Sequence, residues 1–182
     1  MAIQKRKKRF FSIDIPLIKK TTQLQAFEAK ELDGRFIKYD LTRSLKGKSV
    51  IITLRVDVKD ERAKTVPKEL RLMPYYLKRL VRKGTSYVED SFSTPTKDAQ
   101  IRIKPFLVTR RKVPRSVRKA LRVAANEELK KYAKSNTVEQ IFEDVLKNKL
   151  QKDLSLKMKK IYPLSVFEIR VLKVENNTEG QQ

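Results

Sequence analysis

One stretch of the sequence is rich in Lys and Arg, lacks carboxylates, and so has the chemistry to bind phosphate groups. No Asp or Glu occurs between Asp98 and Glu127. Guanidinium and ammonium groups form charge-assisted hydrogen bonds with phosphate oxygens, and they release condensed counterions when they bind a polyanion. The stretch therefore predicts a surface for nucleic acid. Its basic residues are Arg102, Lys104, Arg110, Arg111, Lys112, Arg115, Arg118, Lys119 and Arg122.

Two predicted elements position these charges, a strand and a helix. Ile101 and Ile103 alternate with Arg102 and Lys104, a period of two that predicts a half-buried β-strand over residues 100–109. Pro114 suits the first turn of a helix, because its missing N–H would have no partner within the helix there. We expect this helix to run over residues 114–133.

At about 100° per residue, this helix has a basic face and an opposite apolar face. Like charges three and four residues apart repel by about 0.2–0.5 kcal/mol per pair, and cations near a helix N-terminus oppose the macrodipole. A bound polyanion would reverse both effects. A solvated charged face is the alternative, and the absence of interleaved acids weakens it. The predicted basic face contains Arg115, Arg118, Lys119 and Arg122, and the apolar face contains Val117, Ala120, Leu121, Ala124 and Ala125.

The N-terminal residues 1–9 form a basic arm with Lys5, Arg6, Lys7, Lys8 and Arg9. Such an arm is disordered by itself, and it either orders on phosphates or serves as a solubilising tail.

A compact helix with Pro74 in its first turn is predicted to carry a second basic set. Leu77, Leu80 and Val81 form its packing stripe, and Gly84 is predicted as the left-handed residue just after its end. Because the dipole favours cations near a helix C-terminus, RNA contact and helix stabilisation explain this set equally well. The set consists of Lys78, Arg79, Arg82 and Lys83.

The composition excludes many enzyme classes. The 182 residues contain 44 Lys and Arg against 21 Asp and Glu, and the net charge of +23 favours a polyanionic partner. With no Cys and no His, thiolate nucleophiles, disulfides, the usual zinc sites and His-based relays are excluded. We predict no enzyme activity, no cofactor and no small-molecule substrate.

No apolar run reaches the roughly 18 residues of a spanning helix, and no signal peptide is evident, so an intracellular protein without membrane contact is expected.

A small group of acids could be imagined as ligands of a divalent ion. Asp57, Asp60 and Glu61 lie at a predicted strand end, as carboxylates do in metal-dependent nucleases. Acidic strand ends are far more often simply solvated, so no metal site is predicted.

Phe10 and Phe106 could stack on bases, but aromatic residues beside basic runs more often belong to the core.

The remaining patterns predict an α+β fold with an antiparallel, barrel-like β-sheet, helices packed on one side, and the basic N-terminal arm. Further strands are expected over residues 10–15, 34–41, 50–58, 85–92 and 167–171, whereas residues 17–33 are only weakly predicted. Thr137 and Gln140 form a capping box that opens a helix, and a broken or second helix follows until Pro163. We expect one domain over residues 10–174 and a mobile polar tail over residues 175–182.

Two segments resemble one protein family closely. Residues 76–86 (YLKRLVRKGTS), and residues 159–164 (KKIYPL) with 168–170 (EIR), are similar to signatures of a ribosomal protein family. It is the archaeal and eukaryotic small-subunit family called "three-Ae", or "one-e" in the unified naming. The resemblance covers roughly residues 8–174. The sequence departs from the family pattern at residues 67–70, where the family carries a Gly-His pair, and in the stretch before Gly34.

The resemblance implies a structural protein of the small ribosomal subunit, without catalytic activity, in the cytoplasmic ribosome. It implies a place on the platform near the messenger exit, and contact with ribosomal RNA, neighbouring ribosomal proteins and messenger RNA near that exit. It also implies RNA contact for the residues that match its segments. These are Arg79, Arg82, Lys83, Thr85 and Ser86, together with Arg110 and Arg111 of the run Thr109-Arg110-Arg111, which also agrees with the family.

Three other classes of protein share some of these features. A DNA-architectural or nucleoid protein would use the same charge, but it is more often a symmetric dimer with a helix or wedge for a groove. A metal-dependent nuclease would need carboxylates beside the basic surface. A peripheral membrane protein would need bulky apolar residues opposite the basic face, where the predicted helix has mostly Ala and Val.

Overall fold

The computed structural model describes residues 7–45, 47–59 and 62–175, which form nine β-strands and four α-helices. The strands are β1 (Arg9–Ile15), β2 (Lys20–Ala26), β3 (Phe36–Asp40), β4 (Val50–Lys59), β5 (Arg62–Leu72), β6 (Tyr87–Glu89), β7 (Phe92–Pro95), β8 (Gln100–Thr109) and β9 (Leu164–Glu175). The helices are α1 (Pro74–Leu80), α2 (Arg115–Ser135), α3 (Val138–Leu146) and α4 (Lys149–Met158), and a short 3₁₀ helix covers Ala29–Leu32.

The predicted α+β class is confirmed, because the strands form a mostly antiparallel nine-stranded sheet accompanied by the helices. The pairings of the described strands do not close into a ring. The barrel-like form and the packing of helices on one side therefore stay predictions.

The chain divides into two compact units. The smaller unit contains Met1–Tyr39 and Ile52–Lys68, and the larger contains Asp40–Ile51 and Glu69–Gln182. The chain passes from one unit to the other within β3, β4 and β5. The expectation of one domain over residues 10–174 stays a prediction.

In the smaller unit, β1 pairs antiparallel with β2 and, over Ile13 and Asp14, parallel with β5. Its core contains Ile13, Leu32 and Val56, and the alternation predicted for β1 and β4 is confirmed by this burial. Strand β5 also pairs with β4, and β4 pairs with β3, so the strands of this unit are paired in the order β2–β1–β5–β4–β3. Side chains link the two ends of this order. Lys20 Nζ of β2 donates to the Tyr39 hydroxyl of β3 at 3.4 Å, and Arg35 Nη1 donates to the Gln25 carbonyl at 3.2 Å.

In the larger unit, β8 is the central strand, pairing with β6 and β7 on one edge and with β9 on the other. Its predicted bounds are confirmed, and Ile101 and Ile103 are buried. The half-buried alternation holds only in its first half. A register shift between Lys104 and Pro105 begins a second half in which every residue is buried, Phe106 included. Helix α2 packs on β6 and β7, whereas α3 and α4 pack on each other and on β9.

Three strands were missed by the sequence patterns. One is β7 (Phe92–Pro95), because the single strand expected over residues 85–92 is β6 followed, after a break at residues 90 and 91, by β7. The weakly predicted residues 17–33 contain β2, whose outward residues are polar and whose only buried residue is Ala26. The segment before Pro74 contains β5, which changes partner near Pro67, from β1 at Ala63 and Lys64 to β9 at residues 69–71. Proline within a strand usually argues against it.

The helix predictions were right in kind and differ at their ends. Pro114 is the N-cap of α2 rather than a first-turn residue, and α2 ends at Ser135. Helix α1 has Pro74 at its first position, but it ends at Leu80, because Val81 adopts an extended backbone. Gly84 has the predicted left-handed conformation (φ +83°), yet it lies in a separate turn and not just after the helix.

The capping box before α3 is confirmed, since the Thr137 N–H donates to Gln140 Oε1 at 3.2 Å and the Gln140 N–H donates back to Thr137 Oγ1. The predicted second helix is α4, which starts after Asn148 in a left-handed conformation (φ +57°). It ends at Met158 and leaves Ile161 exposed.

Candidate nucleic-acid interface

The N-terminal half of α2 presents cations to solvent. Arg115, Arg118, Lys119 and Arg122 are all exposed, whereas Leu121 and the three apolar residues that follow it at helical spacing are buried. The predicted basic face is confirmed. The predicted apolar face is correct for Leu121 and Ala125, which are buried, and it continues further along the helix at Leu129 and Ala133. Ala120, which we placed on that face, is exposed, because α2 buries only a narrow stripe at this end.

These cations form one wall of a groove of about 430 Å³. The facing wall is the short strand β6, with Tyr87, Val88 and Glu89. No sequence pattern drew attention to Tyr87, because an aromatic residue in a three-residue strand carries no period from which its exposure could be read.

The charges of the groove are only partly compensated within the protein. Arg122 Nε lies 3.9 Å from Asp90 Oδ2, and the same oxygen accepts a hydrogen bond from Asn126 Nδ2 at 2.6 Å. Glu89 pairs with Arg170 at 2.7 Å. Among the residues that the structure describes, no carboxylate lies within 4.0 Å of the charged groups of Arg115, Arg118 or Lys119.

A second basic segment, residues 110–112, follows β8 and is exposed. Its backbone is fixed by the buried Thr109, whose hydroxyl lies 2.7 Å from the Arg111 carbonyl oxygen and 2.9 Å from that of Ser86. The Ser86 hydroxyl in turn accepts a hydrogen bond from the Val113 N–H at 3.2 Å. The loop before α2 is thus held on both sides of Arg111.

The comparisons with known proteins agree with the segments noted in the sequence. The family model described as the ribosomal S3Ae family matches residues 4–178. The chain belongs to this family. A small ribosomal subunit protein eS1 of Pyrobaculum arsenaticum is 32% identical over 157 residues, which is 84% of this chain and 71% of that protein. One from Saccharolobus islandicus is 29% identical over 186 residues, which is 96% and 89% of the two chains.

Membership of the S3Ae family confirms the resemblance and gives the chain a structural rather than an enzymatic role. It is a small-subunit ribosomal protein. The RNA contacts of individual residues stay predictions, and the structure shows where those within the described residues lie.

The family segment at residues 76–86 contributes a helix end and a turn. Arg79 is exposed in the last turn of α1, with its guanidinium carbon 5.8 Å from the centre of the Tyr75 ring. Arg82 and Lys83 are exposed in the turn beyond the helix. Because α1 has ended before them, stabilisation of its C-terminus does not explain these two cations.

The other two residues of this segment, Thr85 and Ser86, are half-buried and hydrogen-bonded within the protein. The Thr85 hydroxyl donates to the Arg82 carbonyl at 2.7 Å, and the Ser86 N–H donates to Thr109 Oγ1 at 3.0 Å. Both residues therefore position the two basic segments on either side of them. Direct RNA contact by their hydroxyls is not needed to explain their presence.

The cations of strand β8 lie outside the groove. Arg102 Nε pairs with Glu175 Oε1 at 2.7 Å and lies 3.3 Å from Ser93 Oγ, so its charge is already compensated. Lys104 is half-buried. Neither residue lines the groove beside α2.

The predicted N-terminal arm is described only in part. Lys5 and Arg6 lie outside the described residues, whereas Lys7 and Lys8 are exposed and precede β1. Arg9, which we assigned to the arm, is the first residue of β1 and pairs with Ala26. Its neighbour Phe10 is 65% exposed, so this aromatic is not a core residue, whereas Phe106 is one.

The described residues contain no cluster of acids that could hold a metal ion. Asp57 is half-buried in β4, and Asp60 and Glu61 lie outside the part of the chain that is described. In the same described part, no helix is long and apolar enough to cross a membrane.

Proposed function

We propose that this chain is a structural constituent of the small ribosomal subunit that binds ribosomal RNA through the basic surfaces of its larger unit. One observation carries the proposal: Arg115, Arg118 and Lys119 stand exposed at the start of α2, without a carboxylate partner among the described residues. Cations at this end of a helix weaken an isolated protein, because they repel each other and oppose the dipole. Phosphates bound along this face reverse both effects.

The RNA surface consists of two sets of cations. The first is the wall formed by Arg115, Arg118, Lys119 and Arg122. The second is the loop of Arg110, Arg111 and Lys112 together with the turn of Arg82 and Lys83, which the Ser86–Thr109 contact holds adjacent. Phosphate contacts of this kind fix the position and orientation of a protein on RNA without reading sequence.

We assign smaller roles to the other predicted cations. Arg79 and the N-terminal residues Lys5, Arg6, Lys7, Lys8 and Arg9 add phosphate contacts, whereas Arg102 and Lys104 contribute less because of pairing and burial. Thr85 and Ser86 act by positioning the backbone.

Family membership supports a finer placement. We infer that the protein lies in the cytoplasmic ribosome, on the platform of the small subunit near the messenger exit, where it contacts neighbouring ribosomal proteins and messenger RNA. We also infer that the smaller unit is barrel-like. The contacts from Lys20 to Tyr39 and from Arg35 to Gln25 support this, because they join the strands at the two ends of its pairing order.

Sedimentation of native cell extract through a sucrose gradient tests the proposal. We expect the protein to migrate with the small subunit and to remain there after a high-salt wash, because many phosphate contacts and a shape-specific fit act together. Recovery at the top of the gradient, or release at modest salt, would contradict it. Nuclease treatment before sedimentation is the control, since a protein held by RNA must leave these fractions when the RNA is cut.

A binding assay separates RNA from DNA as the partner. Eight phosphate contacts give a slope of log K against log salt of about −7, or somewhat less on single strands. Equal affinity for duplex DNA of the same length would favour an architectural DNA-binding protein instead.

A further inference from the structure

The groove beside α2 has an aromatic wall as well as a cationic one. Tyr87 is 54% exposed, although its ring is stacked on the buried Phe106 with a centroid distance of 6.1 Å and an interplanar angle of 23°. Phe106 supports one side of the ring and fixes its orientation. More than half of Tyr87 remains accessible from solvent, where another flat group can approach it.

The opposite wall supplies charge at a regular spacing. Arg115 and Arg122 are seven positions apart, which is about 10 Å along a helix at 1.5 Å per residue. Arg122 is partly engaged by Asp90, so Arg115, Arg118 and Lys119 are the cations most available for phosphate. The acid of this groove, Glu89, is already neutralised by Arg170.

We propose that the groove holds one unpaired RNA nucleotide, whose base stacks on Tyr87 while the adjoining phosphates contact α2. The volume of about 430 Å³ is in the range of sites that hold a small molecule. Bases in a duplex cannot offer a face to a protein side chain, whereas bases in loops, bulges and single strands can. The inference rests on the proposed function and adds to it the kind of RNA that this site recognises.

An acidic peptide segment of another protein is the competing occupant. It would satisfy the cations, but it would leave the exposed Tyr87 ring without a specific partner. The combination of an exposed, oriented ring and cations lining the same groove favours a nucleotide, which has a flat base and an anionic backbone joined together.

The test uses the full-length protein and a short oligouridine strand that carries a single 2-aminopurine, whose fluorescence falls when it stacks. We expect quenching on binding, and a weaker effect when the same strand is paired with its complement. In Tyr87→Leu the quenching should disappear and affinity should fall by about 5- to 150-fold, the range for loss of one stacked base. The slope of log K against log salt should stay unchanged, because no cation is removed.

Two variants serve as matched controls. Tyr87→Phe keeps the ring and should keep both quenching and affinity, and Phe36→Leu removes a comparably exposed ring from the smaller unit. If Tyr87→Leu proves unfolded by circular dichroism, the comparison of single and paired strands with the wild-type protein decides.

The outcomes separate the two proposals. Unchanged quenching in a folded Tyr87→Leu protein, or equal affinity for single and paired strands, overturns the stacking site while leaving RNA binding intact. Failure of the wild-type protein to bind either strand with a steep salt dependence overturns the proposed function as well. Tighter binding of an acidic peptide than of the strand, competing at the groove, would identify a protein as the occupant.

Discussion

Ser86 and Thr109 are joined by hydrogen bonds in both directions. The Ser86 N–H donates to the Thr109 hydroxyl at 3.0 Å, and the Thr109 N–H donates to the Ser86 carbonyl at 2.9 Å. Ser86 directly follows the turn of residues 82–85, and Thr109 directly precedes the loop of residues 110–112. This contact therefore holds together two basic segments that are distant in the sequence.

Replacement of Thr109 by Val tests the importance of this contact. The change preserves shape but removes the hydroxyl that accepts from the half-buried Ser86 N–H and lies beside the Arg111 carbonyl, so we expect a loss of about 0.5–1.5 kcal/mol in the free energy of unfolding, the net contribution of one hydrogen bond. RNA affinity should fall although no charge has changed. Thr65→Val is the matched control: Thr65 is also buried, in the smaller unit, and donates to the Asp14 carbonyl at 3.2 Å. It should lose stability and retain RNA affinity; equal affinity losses in both variants would refute the positioning role.

Neutralisation of Arg115, Arg118 and Lys119 to Gln is expected to reduce RNA affinity without harming the fold. Removing three phosphate contacts should make the slope of log K against log salt shallower by about 2 to 3. The melting temperature should stay the same or rise, because mutual repulsion and the unfavourable dipole interaction are relieved. The same changes at Lys134, Lys152 and Lys160, which are exposed outside the groove, should leave the slope nearly unchanged. A loss of helical circular dichroism would mean that these side chains support the core.

The ion pair between Lys48 and Glu168 is expected to be one of the most sensitive points of the larger unit. Lys48 Nζ lies 2.6 Å from Glu168 Oε2 and 2.8 Å from Asn148 Oδ1, and the paired side chains are only 11% and 12% exposed. Glu168→Gln should cost about 3–5 kcal/mol in denaturant unfolding, because it leaves a buried ammonium group without a counter-charge.

The double variant Lys48→Met/Glu168→Leu should recover most of that loss, since it removes both charges together. Glu143→Gln breaks the exposed pair with Lys147 and should have a much smaller effect. Similar losses in Glu168→Gln and Glu143→Gln would contradict the role of burial.

Tyr132 should make stability depend on pH in the alkaline range. Burial, and then its short hydrogen bond to Asp144, raise the pKa of the Tyr132 phenol well above its ordinary value. A raised pKa means that the folded protein favours the neutral phenol. The contribution is therefore complete below about pH 10, the pKa of an unfolded tyrosine, and it is lost as the pH rises above that value.

Tyr132→Phe should lower the free energy of unfolding by about 1–2 kcal/mol at neutral pH. Its stability should then decline less steeply than that of the wild-type protein as the pH rises above about 10. Tyr75→Phe, at an exposed tyrosine, should follow the wild-type curve. Parallel curves for Tyr132→Phe and the wild type would show that this phenol has no raised pKa.

Much of the fold could be predicted from the sequence, because the elements with clear periods are stabilised locally. The bounds of β8, the capping box at Thr137 and the basic and apolar sides of α2 all follow from alternation, helical spacing or end chemistry. Strands β2 and β5 were missed for the opposite reason. Ala26 alone is buried in β2, and β5 contains Pro67, which argues against a strand, so partners distant in the sequence determine that these segments are strands.

The sequence by itself determined the chemistry of the candidate site, since charge, the absence of Cys and His, and the family segments depend only on residue types. Only the tertiary structure decided how the cations are used. Arg102 is engaged by Glu175, Arg122 approaches Asp90, and Thr85 and Ser86 bond within the chain, whereas Tyr87 stands exposed across from α2. Pairing and exposure arise from contacts between segments that are far apart in the sequence, and local patterns carry no information about such contacts.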